Sequence, residues 1–299
     1  MRVKNVKAHL RKKFNEFVES IQDKDVRMLV EKNSIITGGC IVSLLTNEKV
    51  NDYDIYFQDR KTTLAVARYY VEKYKELNPD SREAPYVKDI GERIKIHIQS
   101  KGVAYDSGLM KEVKYFDHGS RTDELEVDLE AVIETLEKDI EGYRPIFLTG
   151  NAITLSNKVQ LVIRFYGSPE EIHKNYDFIH CTCYYLPAEH KLVLPGPALE
   201  SILTKELRYM GSKYPICSVI RTRKFIKKGW MITGGQYLKM AYQISQLDLN
   251  DLKVLEDQLV GVDAYYFIQI IEILREKKEK DPDFKLEANY LSTLIDKIF

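Results

Sequence analysis

Two adjacent glycines, Gly38 and Gly39, stand between the run Ser34-Ile35-Ile36-Thr37 and the short apolar segment Cys40 to Leu45. An isoleucine-rich run that stops on glycine reads as a buried strand ending in a turn. The segment after it reads as a short helix. Twelve residues separate Gly39 from Asp52-Tyr53-Asp54, which lies in a second strand-like run from Val50 to Phe57. Either motif alone is commonplace: a Gly-Gly is usually a turn and an Asp-x-Asp a solvated strand end. The order strand, Gly-Gly, helix, loop, strand with Asp-x-Asp restricts the chain far more.

That order also carries chemistry. Residues i and i+2 of a strand share a face, so Asp52 and Asp54 project together. Carboxylates that close repel, and a divalent cation relieves the repulsion. Mg²⁺ or Mn²⁺ suits such a pair, because Mg²⁺ takes one or two carboxylates and completes its shell with substrate phosphates. Glycines before a helix let a ligand approach the backbone, and the helix N–H groups face an anion. Triphosphate oxygens would sit at Gly38, Gly39 and Cys40, beside the metal.

The rest of the chain divides by pattern. Val6, Leu10, Phe14, Phe17, Ile21, Val26, Leu29 and Val30 fall at helical spacing and predict one helix from about 5 to 31. A helix is expected over 62–77. Residues 82–150 read as an irregular excursion, with a strand near 93–99, a Gly/Asp/Lys-rich surface segment over 101–123 and a helix near 129–140. Strands are expected over 145–155 and 158–165. Ser168-Pro169-Glu170-Glu171 is a helix start: a capping serine, proline in the first turn and acids at the positive helix end. Phe178 to Tyr185 reads as a strand, which makes Cys181 and Cys183 strand residues, and 191–194 returns beside it. After Pro195-Gly196-Pro197 the patterns are helical. The fold class expected is α+β: a mixed-sheet domain over 1–197 and an all-helical domain over 198–299.

Composition excludes some functions. The 299 residues carry 45 basic and 45 acidic side chains, so nucleic acid is not held by bulk charge and needs a local patch. Four cysteines are too few for a disulfide scaffold, and the first residues lack a signal peptide's apolar core. No membrane partner is expected, and the cytoplasm is the expected compartment.

The text Ile36-Thr37-Gly38-Gly39-Cys40 through Asn51-Asp52-Tyr53-Asp54-Ile55-Tyr56-Phe57 resembles the polymerase-beta-like nucleotidyltransferase superfamily. Most of the chain is also similar to uncharacterised nucleotidyltransferase-like proteins of tailed bacteriophages, for which the compartment is the host cytoplasm. The resemblance implies a palm-like catalytic domain, an NTP substrate and a third carboxylate on a later strand. Asp177 is the favoured third acid, completing a metal site with Asp52 and Asp54; Asp128 is the other candidate. Two departures matter. Cys40 stands where serine is common, and Val42-Ser43-Leu44 replaces the Arg-Asp pair of the CCA-adding enzymes.

Eight basic residues crowd 205–228, with Tyr209, Tyr214, Phe225 and Trp230 between them. The resemblance implies that a Lys or Arg of the helical domain meets the β- and γ-phosphates; Lys205, Arg221 and Lys224 are the candidates. A solvated helix face is the bland alternative. Ile232-Thr233-Gly234-Gly235 repeats the text of 36–39, but one long helix follows it, and it is read as a decoy. The functional expectation is transfer of a nucleoside monophosphate from an NTP to an acceptor hydroxyl with release of pyrophosphate. The acceptor is an RNA or tRNA 3′ end in the first instance, or a protein side chain or a small molecule. A non-catalytic RNA- or protein-binding module on the same fold, and a nuclease using the same carboxylates, are the alternatives.

Overall fold

The computed structural model describes residues 2–79, 84–91, 93–98, 103–105, 142–249 and 251–259, with scattered positions between 274 and 293. The chain divides into two compact units, one of residues 1–174 and 180–202, the other of 175–179 and 203–299.

The first unit is a mixed α/β layer. It opens with α1 (Val3–Glu19) and α2 (Lys24–Asn33). The single helix expected over 5–31 is therefore two. The helical spacing is real on both sides, since Val6, Leu10, Phe14, Phe17, Val26 and Val30 are all buried. The break comes from Asp23, whose carboxylate caps α2 by accepting from the N–H groups of Asp25 and Val26. Arg27 then donates to the carbonyls of Glu19 and Ile21 at the end of α1.

β1 (Ser34–Thr37), α3 (Gly39–Thr46) and β2 (Tyr53–Phe57) follow as the sequence indicates. α4 (Arg60–Leu77) is capped by Asp59, which accepts from the N–H and the hydroxyl of Thr62. The 82–150 stretch contributes β3 (Tyr86–Asp89), β4 (Ile94–His97) and β5 (Val103–Tyr105); the excursion and helix expected between 106 and 141, and Asp128 with them, lie outside the described residues. The strand expected over 145–155 is two, β6 (Pro145–Thr149) and β7 (Ala152–Leu155), because Gly150 and Asn151 turn the chain back. β8 (Val159–Tyr166) completes the set. The capping box at Ser168 and Glu171 forms as expected, but its helix stops at His173.

Phe178 to Tyr185 is not a strand. Ile179–Thr182 is a 3₁₀ turn holding Cys181, and Cys183 lies just outside β9 (Tyr184–Leu186). β10 (Lys191–Val193) pairs back on β9. The eight strands order β10-β9-β1-β2-β8-β7-β6-β5, with β2 and β8 the one parallel pair. Period 2 divides the sheet's faces. Leu148, Ile153, Leu161, Ile55, Ile36 and Tyr185 are neighbours on the core face, each 1% exposed or less. The opposite face carries Thr154, Gln160, Asp54, Thr37 and Tyr184 as successive cross-strand neighbours, and all but Thr37 are half-buried. One face is a core; the other is polar and reachable along this row, while Ile35 and Tyr56, paired on the same side, are buried.

The second unit is helical, with Pro215–Lys227, Gly234–Ile244 and Leu252–Leu259 as its described helices. It is not purely so: Glu206–Leu207 and Met231–Ile232 form a two-residue parallel pairing. Phe178, Tyr209, Phe225 and Trp230 make a run of edge-to-face ring contacts in its core. The second Gly-Gly, at 234–235, starts the long helix as the sequence reading required. No helix among the described residues is long and apolar enough to cross a membrane.

Asp59 holds the start of α4 through two bonds to the fully buried Thr62, whose hydroxyl also receives Asn33 Nδ2 at 2.8 Å. Asp59→Ala is expected to cost about 1–2 kcal/mol, read as a lower denaturation midpoint with an unchanged slope.

Candidate active site

The register of β1 on β2 builds the site. Thr37 is the Cα partner of Asp54 in an antiparallel pair, so the turn after Thr37 and the carboxylate of Asp54 meet at one end of the sheet. Asp52 lies one residue before β2 and is exposed, while Asp54 is half-buried. Both sit close to the start of α3, as the Cys40 thiol records. Burial raises its pKa first, and the negative charges of Asp54 and Asp52 raise it further. The expectation that Gly-Gly and Asp-x-Asp would converge is thus met in the geometry.

The two glycines do different work. Gly38 is buried, with φ 94° and ψ −153°, a conformation that side chains resist. Gly39 is exposed in the first turn of α3, and a Cβ built there would meet nothing within 4 Å. The first N–H groups of α3 have no side-chain cap. Open space above an uncapped helix start, beside two carboxylates, suits an anion and its cation. Cys40 contributes its backbone there; its side chain is 2% exposed and its thiol points to the Thr37 carbonyl at 3.7 Å.

Thr37 anchors the turn from below. Its hydroxyl donates to the Cys183 carbonyl at 2.9 Å and stands 2.8 Å from His173 Nε2. With its one proton spent on Cys183, the hydroxyl accepts from His173, which places that imidazole's proton on Nε2. Burial lowers the His173 pKa to about 4, consistent with a neutral ring. Burial also lowers His180, to about 3. Sequence reading missed the Thr37–His173 pair, because 136 residues separate the partners.

β8 supplies another missed residue. Gln160 is the parallel partner of Asp54, so the residue beside Asp54 on that strand is a neutral amide. The alternation in Val159-Gln160-Leu161-Val162 carried the signal, with Gln160 opposite in parity to the buried Val159 and Leu161.

Asp177 does not open a strand of this sheet. It belongs to the second unit, next to a one-residue bridge between Phe178 and Tyr209. It is 5% exposed; Oδ2 pairs with Arg221, and Oδ1 has no hydrogen-bond partner among the described residues. Of the expected phosphate-binding cations, Arg221 is thus engaged by Asp177, and Lys205 Nζ donates to the Lys228 carbonyl at 3.3 Å. Lys224 lies in the last turn of the helix Pro215–Lys227. Among the described residues, no three His, Cys, Asp or Glu side chains converge to hold a metal ion. Asp52 and Asp54 offer two hard oxygen donors, which fits an Mg²⁺ that arrives with phosphate oxygens in its shell.

Comparison with known proteins places residues 8–205 within the family described as Gabija anti-defense 2 family protein. Gabija anti-defense 2 of Bacillus phage SPbetaL7 is 20% identical over 274 residues, which is 91% of this chain and 51% of that protein. The chain therefore spans about half the length of that relative. Among solved structures, the Thermotoga maritima CCA-adding enzyme complexed with tRNA superposes with a TM-score of 0.39 at 11% identity, over 92% of this chain and 56% of that one. The Bacillus stearothermophilus CCA-adding enzyme in complex with CTP gives 0.36 at 12% identity, over 86% and 51%.

Gly38→Ala is expected to lower stability by about 1–3 kcal/mol through its positive φ. Gly39→Ala is expected to keep wild-type stability and lose nucleotide affinity; thermal melts and nucleotide titration of both variants check this. Protonation supplies a second test. A histidine whose pKa falls from 6.5 to about 4 on folding binds its proton more readily unfolded, so its stabilisation is complete above pH 6.5 and lost as pH falls toward 4. His173 alone is expected to weaken the fold over that window by up to about 3 kcal/mol. His173→Gln, which keeps a donor to Thr37, is expected to flatten the pH dependence of the urea midpoint.

Proposed function

We propose that this chain, which belongs to the Gabija anti-defense 2 family, is a metal-dependent nucleotidyltransferase. The observation that carries the reading is the pairing of Thr37 with Asp54, which sets the uncapped start of α3 beside both carboxylates. The N–H groups of Gly39, Cys40 and Ile41 hold the triphosphate, and Gly39 leaves the room for it. Asp52 and Asp54 hold Mg²⁺ or Mn²⁺, which when bound neutralises charge on the phosphates. An acceptor hydroxyl oxygen forms a bond to the α-phosphorus, the α–β bridging P–O bond breaks, and pyrophosphate leaves. The hydroxyl proton passes to a carboxylate or to water.

Asp177 remains the proposed third acid. Its support is the buried Oδ1, which receives no hydrogen bond among the described residues. Lys205, Arg221 and Lys224 are the proposed contacts to the β- and γ-phosphates. The acceptor is an RNA or tRNA end, or a protein side chain. The name of the phage relative adds a setting, an activity directed against the Gabija defence.

A second reading is nucleotide capture without transfer, and Gln160 favours it. A neutral amide beside Asp54 gives that face less negative charge for cations than a carboxylate would. The two readings separate in one experiment. Full-length protein is incubated with each labelled NTP and Mg²⁺, with total RNA or host lysate as acceptor source. Transfer and pyrophosphate release are expected from wild type, with losses of at least about 100-fold in Asp52→Asn and Asp54→Asn. Retained, unconverted nucleotide would leave capture; no nucleotide bound at all would remove both. Asp177→Asn is expected to abolish transfer while nucleotide binding persists.

A further inference from the structure

The cations in 205–228 drew attention in the sequence, yet three of them serve their own unit. Arg221 pairs with Asp177, Arg208 with Glu206, and Lys205 bonds the Lys228 carbonyl. The first half of α1 is different. Arg2, Lys4, Lys7, Arg11, Lys12 and Lys13 precede its first acid, Glu16. Lys4, Lys7 and Arg11 make no ion pair among the described residues, and Lys12 reaches Glu16 only at 3.9 Å.

This placement works against the helix. The start of a helix is its positive end and favours acids, yet the first turn of α1 has none and Arg2 offers no side-chain cap. Folding gives Lys4, Lys7 and Arg11 no ion pair in return among the described residues. Lys4, Lys7, Arg11 and Lys12 line an open groove of about 610 Å³ between α1 and His190, at the tip of the β9–β10 turn. A cavity of about 350 Å³ adjoins it and shares Arg11 and His190.

Lys4, Lys7 and Arg11 fall at i, i+3 and i+7. They rise about 4.5 and about 6 Å along the axis on one face. We propose that this half of α1 is a binding surface for the phosphodiester backbone of a nucleic acid, read without regard to sequence. The groove's chemistry selects that partner. Three cations without ion pairs among the described residues release counterions on meeting phosphates, and this term alone supports non-specific binding. The groove lining offers no Phe, Tyr or Trp and a single exposed imidazole, His190, so backbone contacts dominate over base stacking. A second copy of α1 packed antiparallel would set Lys4 and Lys7 against Glu19 and Glu16. Such surface pairs contribute too little each to offset the cost of association. The nucleic acid crosses the basic half, away from Glu16 and Glu19. The surface lies wholly in the first unit and is independent of whether Asp52 and Asp54 catalyse transfer.

The test measures binding of full-length protein to a labelled 20-base-pair DNA duplex and to a single-stranded RNA, by anisotropy from about 50 to about 200 mM salt. The variants are Lys4→Ala/Lys7→Ala/Arg11→Ala and a control with three other exposed cations removed, Lys24→Ala/Lys32→Ala/Lys61→Ala. The expected result is salt-dependent binding by wild type and control. The first triple variant should lose about 2.7 from the slope of log K against log salt on duplex, and about 2.1 on single strands. Its melting temperature should be unchanged or higher, because a charge clash has been removed. Three results would overturn the proposal: no binding by wild type at 50 mM salt, a slope unchanged in the triple variant, or equal binding of polyglutamate, which would point to an acidic protein. Self-association lost in the triple variant without nucleic-acid binding would overturn it in favour of a second copy.

Discussion

The register between β1 and β2 is the constraint on which the rest of the structure depends. In a strand the side-chain period is 2, so a slip of one residue exchanges the two faces. Ile36 and Ile55 are paired and buried in the core, which leaves Thr37 and Asp54 paired on the polar face. A slip would put the Asp54 carboxylate against Leu161 and Tyr185 and bring Ile55 out. Burying an unpaired carboxylate costs several kcal/mol, more than any alternative packing of two short strands returns. The hydrophobic core therefore positions the polar site, and Gly38 then lets the chain leave the strand at an angle that starts α3 beside Asp52 and Asp54. His173 and Cys183 fix the same corner from the other side through Thr37, and the neutral imidazole keeps a proton donor there without adding charge.

Much of this was legible because it is local. Isoleucines ending on Gly-Gly, alternation through Ile55 and Phe57, and a capping box at Ser168 each need only neighbours in the chain, and each formed. The capped break at Asp23 was also local, yet helical spacing on both sides masked it: Val18, Ile21 and Val26 are all buried and continue one apparent stripe. Gly150-Asn151 was read as part of a strand because the flanking residues alternate on both sides of the turn. The Phe178–Tyr185 run failed for another reason. Its middle forms a 3₁₀ turn over Ile179–Thr182 despite the β-forming side chains, so tertiary context overrode propensity there. Thr37 with His173, and Asp54 with Gln160, were out of reach because only the folded sheet brings them together.

Charge tells a related story. The basic stretch 205–228 is partly spent inside its own unit, where Arg221 pairs with the buried Asp177 carboxylate. Lys4, Lys7 and Arg11 make no such pair among the described residues, in a stretch of α1 where the apolar helical stripe rather than the charges drew notice. Counting charges along a chain measures supply; what a surface can offer a ligand depends on what folding has already consumed.

The sheet's free margin has its own consequence. β10 is three residues long, begins with Lys191 and leads within two residues to Pro195-Gly196-Pro197. A strand so short, with a charge at one end and prolines beyond the other, is a poor template for a foreign strand. An eight-stranded sheet with one reachable polar face could otherwise add a neighbour and grow. At the high copy numbers of an overproduced protein, that blunt margin favours dispersed molecules over strand-exchanged aggregates, and lengthening it would be the simplest way to make this fold polymerise.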